Sequence, residues 1–396
     1  MARNHQKKFA ILTVFLGSSV IILQYWLLQR KVTRDKTIQA KDKDFAISRG
    51  KQNYDERDLK LILFYTPLFG RSPWPGLFND YNFTHWNNIG CRVQKCRITY
   101  NKSDLLVSDA VIFHGRDLPN VLHMKNIVKD KPLKQRWVYF MHESPKYTFY
   151  DPSLYNGFFN WTMSYRKDSE FYVPYRSYTR LGPEDIAYRQ TETKNYAAGK
   201  DKLAVWIVSH CGGLREDFVR KLVKYIKVDV FGSCSKRFNQ TETCLKSSPA
   251  CRDKLQRYKF ILALENSFCI DYITEKYWFT PFEHGVVPVV MGATSYDEQL
   301  AIPGSFINAL DFSSVKSLVN YLLFLNSNDS AYNEYFKWRK QFKLVLPESW
   351  TCQMCAALNN DSLPAKVYND MEYFWGEKTA CGENERKVKK LIEQQH

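Results

Sequence analysis

The chain has no Gly-x-Gly-x-x-Gly run, so the dinucleotide fingerprint is missing. It has no zinc-finger spacing and no interleaving of aromatic and basic residues of the kind that reads RNA. No His/Asp cluster has metal-ligand spacing. The Asp-x-Asp at Asp42-Lys43-Asp44 sits in a charged stretch with no scaffold to present a metal-nucleotide. No internal repeat or low-complexity tract appears. Acid is scarce relative to base: 41 Asp and Glu against 57 Lys and Arg leave a formal charge of +16. A solvated basic surface accounts for much of this excess. A positive cleft that draws in an anionic substrate is the functional alternative.

What remains is a chain of 396 residues, 44% hydrophobic and 15% aromatic, enough for two domains with cores of their own. Phe9 to Leu28 is a run of 20 residues without a charge. At about 1.5 Å per helical residue it matches a bilayer core of about 30 Å. A cleaved signal peptide has a shorter apolar region and a small-residue cleavage site. Here Tyr25 and Trp26 suit an interfacial belt, and Arg30 and Lys31 follow. The run is read as an uncleaved anchor. Flanking charges do not settle its orientation, because Lys and Arg lie on both sides. Ten cysteines and six Asn-x-Ser/Thr acceptors (Asn82, Asn101, Asn160, Asn239, Asn328, Asn360) favour an oxidising lumen for the body. The expected layout is a tail at 1–8, a span at 9–28, a polar stem at 29–58, domains at 59–190 and 200–375, and a polar tail at 376–396.

Buried-strand runs recur through both domains: Leu59–Tyr65, Ala110–His114 and Trp137–Met141, then Leu203–Ser209, Val228–Phe231 and Val286–Met291. Helical periods lie between them at Leu118–Lys129, Leu214–Lys227 and Val315–Leu325. Alternating strand and helix implies parallel sheets covered by helices. The stretch Pro174–Lys202 has no strong period and marks the domain boundary.

The densest segment is Tyr258–Gly292, YKFILALENSFCIDYITEKYWFTPFEHGVVPVVMG. It reads as strand, polar turn, helix and strand. Asn266, Asp271, Tyr272, Glu275 and Lys276 cluster at the turn and helix start, where an open α/β sheet binds ligands. A carboxylate beside an ammonium there suits a nucleotide-sugar. The Asp271–Thr274 stretch can open a helix whose positive end faces a diphosphate. Arg215 follows the Gly212-Gly213 turn at another helix start. Glu143 follows an apolar strand and precedes Ser144-Pro145, a place where a carboxylate can act as a base. His142 and His114 are rival bases. Asn266 can anchor the turn or a hydroxyl, and Glu275 and Lys276 read alternatively as a solvated helix start.

The segment ALENSFCIDYITEKYW with GVVPVVMG resembles the α1,3-fucosyltransferase signature. Three further segments agree in order: HESPKYT at His142–Thr148, FFNWTMSYRKDSEFYVPY at Phe158–Tyr175, and AVWIVSHCGGLREDFVRKLVKYIKVDVFGSC at Ala204–Cys234. The resemblance implies a GT-B architecture, two Rossmann-like doubly wound α/β domains facing a cleft, behind one transmembrane helix in the Golgi membrane. It implies inverting transfer of L-fucose from GDP-β-L-fucose to a GlcNAc hydroxyl of a glycoprotein glycan. Glu143 is then the general base, and Asn266, Tyr272, Glu275, Lys276 and Arg215 line the donor site. Tyr165-Arg166-Lys167-Asp168 matches a family Tyr-Arg-Arg-Asp pattern with Lys167 for the second Arg. Arg166 either touches phosphate or pairs with Asp168.

No tightly bound cofactor is expected; a divalent cation is at most a stimulant. The partners implied are GDP-fucose, a glycan acceptor and the Golgi membrane, not nucleic acid; a homo-oligomer is left open. The cysteine-rich stretch after Gly232 and Cys269 within the signature lean toward N-glycan core acceptors over N-acetyllactosamine antennae. A non-catalytic lectin-like ectodomain and a transferase for another GDP-sugar are the other readings. Cys352 and Cys355 with Cys91 and Cys96 are read as disulfides from the tail to the first domain, ahead of a four-Cys zinc site. Cys211, Cys234, Cys244, Cys251 and Cys269 include two further bridges, and Cys381 is either paired or free.

Overall fold

The computed structural model describes residues 58–75, 91–190, 194–244, 248–292, 296–360 and 366–394. The proposed span at 9–28, the stem up to residue 57, Asp42-Lys43-Asp44 and the Asn82 acceptor lie outside the described residues. Among the described residues no helix is long and apolar enough to cross a membrane. The chain divides into two compact units. One takes the described residues up to Met141 with Gly157–Thr162 and Ser349–Tyr368; the other takes His142–Asn156, Met163–Glu348 and Asn369–His396.

In the first unit β1 (Lys60–Phe64), β2 (Cys96–Thr99), β3 (Ala110–His114) and β4 (Arg136–Met141) lie in the order β2-β1-β3-β4, all parallel. Residues Ala110 to His114 are buried throughout. Such an unbroken buried run fits a strand covered on both faces, as parallel sheets require. A helix at Val121–Ile127, capped by the Asn120 side chain on the His123 N–H, lies between β3 and β4 in the chain. The unit boundary falls within β5 (Trp161–Ser164).

The helix Trp350–Leu358 belongs to this first unit although it lies far along the chain. Cys91–Cys352 and Cys96–Cys355 bridges hold it there, and the Trp350 ring packs on Phe64 and Phe140. The tail-to-first-domain bridges read from the sequence are present. A contiguous domain ending near residue 375 is not what forms.

Asn160, one of the six acceptors, is buried here. Its Oδ1 accepts from Lys131 Nζ at 2.5 Å and from the Trp137 N–H at 3.0 Å, and its Nδ2 donates to the Lys366 carbonyl at 2.8 Å.

In the second unit β6 (Phe171–Tyr172) pairs with the last residues of β5, and β7 (Ser177–Arg180) pairs antiparallel with the distant β13 (Phe342–Val345). The main sheet contains β8 (Lys202–Ile207), β9 (Val228–Phe231), β10 (Tyr258–Leu262), β11 (Val287–Val290) and β12 (Ile307–Asn308). Its order is β12-β11-β10-β8-β9, parallel throughout.

The helix Leu214–Leu222 buries Phe218, Val219 and Leu222 against this sheet's core. It is shorter than the period to Lys227 suggests. The helix Val315–Ser327 opens with a capping box between Ser314 and Ser317. Residues 376–396, read as a polar tail, instead contain a helix at Glu377–Glu393. Ala380, Cys381, Asn384, Val388 and Leu391 are its buried stripe, and Val388 and Leu391 join the same core.

Candidate functional site

The strand order of the second unit creates a switch point. From β8 the chain moves outward to β9, then returns to β10 on the other side of β8 and continues to β11. Crossovers diverge between β8 and β10, so a crevice opens at their carboxyl ends, where ligands bind in open α/β sheets. The segment after β8 carries Arg215. The segment after β10 carries Asn266 to Lys276.

The turn after β8 is fixed covalently and sterically. Cys211 is bonded to Cys234, which follows β9. Gly232 has φ +97°, and a Cβ there would lie 2.3 Å from the Val208 carbonyl oxygen, so only glycine fits. Arg215, in the first turn of its helix, is 6% exposed. Its Nη2 donates to the His210 carbonyl at 2.6 Å and its Nη1 to the Leu264 carbonyl at 3.3 Å. The guanidinium thus ties the turn after β8 to the end of β10.

The apolar course of β10 runs on through Ala263 and Leu264 to Glu265, which is 1% exposed. This carboxylate accepts the Thr274 N–H at 2.7 Å, the Thr274 hydroxyl at 2.7 Å and Lys276 Nζ at 3.1 Å. Lys276 also donates to Thr274 Oγ1 at 2.9 Å and approaches Glu275 Oε1 at 3.4 Å. Burial alone would lower the Lys276 ammonium, but Glu265 and Glu275 together hold it above the ordinary lysine value. Burial pushes the Glu265 carboxyl up, against the opposing pull of Lys276.

The expected helix at this turn is a single turn, Glu275–Trp278. Thr274 occupies its N-cap position without a side-chain cap bond, because its hydroxyl is engaged with Glu265. A helix this short sums few peptide dipoles. The positive charge here comes from side chains, not from a helix end.

Glu143 lies just beyond β4, in the second unit. Its Oε2 accepts the Tyr272 phenol at 3.3 Å, and next to it Ser144 Oγ meets Ser267 Oγ at 2.6 Å. The buried Tyr272 ring packs on Tyr165 and Tyr175, with centroids 4.8 and 6.3 Å away. Asn266 is half-buried, its Oδ1 accepting Ser267 Oγ at 3.4 Å. Asp271 sits in the left-handed region at φ +58° and accepts the Lys167 N–H at 3.0 Å. Cys269 is bonded to Cys381, and the Ile270 N–H donates to the Ala380 carbonyl, so the turn is pinned to the C-terminal helix. Cys244–Cys251 completes five bridges among the described residues.

The rival bases are engaged otherwise. His142 Nε2 donates to the Val173 carbonyl at 2.7 Å, and its ring stacks on Tyr175. His114 is fully buried in the first unit with Nδ1 on Asp117 at 2.5 Å. Arg166 is buried and clamped by Asp168 at 2.8 and 2.5 Å. It also donates to the Phe374 carbonyl and lies over that ring. Of the two roles open to Arg166, this geometry fits pairing with Asp168.

The second unit thus brings together Glu143, Arg215, Asn266, Tyr272, Glu275 and Lys276. Glu265 and Tyr175 belong with them and were not singled out from the sequence; Thr274 was read only as part of the helix opening, and Tyr165 only within the Tyr165-Arg166-Lys167-Asp168 pattern. A carboxylate at the end of an otherwise apolar strand was the available signal for Glu265.

Two family models match the chain: "Fucosyltransferase, N-terminal" over residues 57–176 and "Glycosyltransferase family 10 (fucosyltransferase) C-term" over residues 197–374. The chain is 31% identical over 360 residues to mouse alpha-(1,3)-fucosyltransferase 4, covering 81% of this chain and 80% of the relative. It is 32% identical over 339 residues to the glycoprotein 3-alpha-L-fucosyltransferase A of Drosophila melanogaster, covering 83% of this chain and 63% of the relative. A crystal structure of an alpha1,3-fucosyltransferase aligns with 85% of this chain and 91% of its own, at 14% identity and a TM-score of 0.44, too loose a likeness to carry an argument.

Proposed function

The chain belongs to glycosyltransferase family 10, the fucosyltransferases, and from that membership we propose that it transfers L-fucose from GDP-β-L-fucose to a GlcNAc hydroxyl in α1,3 linkage, with inversion. The observation that carries the reading is the convergence of Arg215 and the Lys276 ammonium at the carboxyl ends of β8 and β10, in the unit that also holds Glu143.

Inversion takes one displacement. The acceptor oxygen forms its bond to the fucose anomeric carbon as the bond to the β-phosphate oxygen breaks, and the acceptor proton passes to a base. No second carboxylate is needed as nucleophile. Glu143 is that base. Its second hydrogen-bonding role, accepting from Tyr272, fixes its orientation. The electron pair leaves with GDP, whose added charge is met by Arg215 and Lys276. Glu275 and Asn266 offer polar groups to the ribose or fucose hydroxyls, and Tyr272, assigned to the same donor site, backs it with a buried ring. Arg166 is assigned to the scaffold of the second unit. A divalent cation is assigned at most a stimulatory part.

The GT-B reading gives GDP to the second unit and the glycan acceptor to the first. Five disulfides support an oxidising compartment, and the run Phe9–Leu28 is the proposed single Golgi span with the body lumenal. The acceptor assigned is the N-glycan core, on the cysteine-rich stretch that contains Cys244–Cys251 and on the Cys269 bridge within the signature.

Incubating the body with GDP-fucose, a core N-glycopeptide and an N-acetyllactosamine oligosaccharide tests this. Fucose α1,3-linked to the innermost GlcNAc is the expected product. Fucose on the lactosamine alone reassigns the acceptor, and fucose on neither removes the proposed reaction.

A further inference from the structure

We propose that Glu265 is a positioning residue for fucosyl transfer: from beneath the site it fixes where Lys276 presents its charge to the departing diphosphate. The inference rests on the fucosyl-transfer reading and deepens it. Glu265 itself does not reach substrate, being 1% exposed. Its hydrogen bonds run instead to the segment that does. It accepts the Thr274 N–H and hydroxyl at 2.7 Å each, fixing the residue at which Glu275–Trp278 begins, and it accepts Lys276 Nζ at 3.1 Å.

A lysine side chain is flexible and carries a compact charge that a diphosphate binds only where it is held. Thr274 Oγ1, donating to Glu265 and accepting from Lys276 at 2.9 Å, makes a closed three-membered network. The ammonium is thereby fixed by two oxygens on one side, with its side chain still a quarter exposed on the other. Burial of an ionised carboxylate costs stability unless it is paired and hydrogen-bonded, as here. A glutamate retained at such a place solely for stability would be replaceable by an apolar side chain. The orientation of Lys276 would not.

The charged and titratable groups facing this pair are Arg215 from the helix after β8, His210 from the turn before it, Glu275 on the same turn, and the phenols of Tyr175 and Tyr272. Among the described residues, Glu265 and Glu275 are the carboxylates that raise Lys276. Removing the Glu265 charge leaves the ammonium with the neutral Thr274 Oγ1 at 2.9 Å, Glu275 at 3.4 Å and the opposing charge of Arg215.

The test is Glu265→Gln, which keeps the volume and one acceptor oxygen but removes the charge, with GDP titrated by calorimetry across pH. The expected result is GDP affinity lower by about 10–100-fold, by analogy with loss of a second-layer partner. Its alkaline limb should move to lower pH, because Lys276 then loses its proton more readily. In a Lys276→Met background the same substitution should cost no further affinity. An unmoved limb, or equal losses in both backgrounds, overturns the inference while leaving the transferase reading intact if the wild type binds GDP.

Should Glu265→Gln not fold, or the wild type not bind GDP, thermal melts of Lys276→Met decide. Without its cation the buried Glu265 must hold a proton to stay buried, so the deficit in Tm against wild type grows as pH rises from 5.5 to 8. A deficit that does not change with pH overturns the pairing.

Discussion

Tyr272 donates its phenolic hydrogen to Glu143 Oε2 across 3.3 Å, joining residues 129 positions apart. The bond links the segment after β4 to the signature turn after β10, and Ser144–Ser267 repeats the link one residue on. Glu143, the proposed base, is thereby held in a defined direction by a buried phenol.

Glu143→Gln should therefore lower kcat by about 10²–10⁴-fold, the usual worth of a general base, with GDP affinity within about twofold of wild type. Tyr272→Phe keeps the ring against Tyr165 and loses the phenol, so kcat should fall by a smaller factor. Steady-state kinetics with both substrates varied measures the split. Full turnover in Glu143→Gln would remove it as base.

Arg166 is 6% exposed and held by Asp168, whose side chain is 55% exposed. Asp168→Ala strands a buried guanidinium. The loss of stability should be about 2–3 kcal/mol, below the ~3–5 kcal/mol for a fully buried pair because Asp168 is partly solvated. Urea denaturation measures it. GDP affinity should stay near wild type; a large loss would return Arg166 to the phosphate site.

The buried Asn160 amide makes three hydrogen bonds, leaving no room for a glycan in the folded protein. Peptide mapping by mass spectrometry should find Asn160 unmodified in the secreted body. The exposed Asn101 and Asn239 carry no such restriction. Asn160→Asp retains the acceptor oxygens but loses the donor to the Lys366 carbonyl, and should cost about 1–3 kcal/mol.

Burial holds the His114 imidazole below its ordinary pKa despite its bond to Asp117. The unfolded chain then takes up a proton near pH 6.5 that the folded chain refuses, so stability falls as pH drops through that value. His210 and His284, also lowered by burial, act with the same sign. Calorimetric Tm should fall from pH 7 to pH 5, and the fall should be shallower in His114→Asn.

Much of this architecture was legible in the chain. The strands at Ala110–His114 and Val228–Phe231 lie where their apolar runs place them, and β1, β4, β8 and β11 differ from the reading by one or two residues at their ends. Periodicity suffices there because parallel strands are buried on both faces. It fails for β7 with β13, whose partners are about 160 residues apart and whose pattern is half-exposed. It also fails for the exchange of Ser349–Tyr368 into the first unit, which two disulfides and the Trp350 ring decide. The C-terminal helix was not read from the sequence: Ala380, Asn384, Val388 and Leu391 are spaced for one face, but the charged residues between them masked the stripe. At the proposed site, residue types and strand ends pointed to Arg215, Lys276 and Glu143, which the fold gathers in one unit. The buried layer beneath them, Glu265 and Thr274, depends on a turn whose course only the fold defines.

The proposed fucosyl transfer depends most on a cationic donor site at the ends of β8 and β10, and calorimetric titration of GDP into the wild type, Arg215→Ala and Lys276→Ala tests that site most directly. Saturable binding by the wild type, weakened at least about tenfold in each variant (about 1.4 kcal/mol), is the predicted result. No binding by the wild type, or equal affinity in all three proteins, would contradict it.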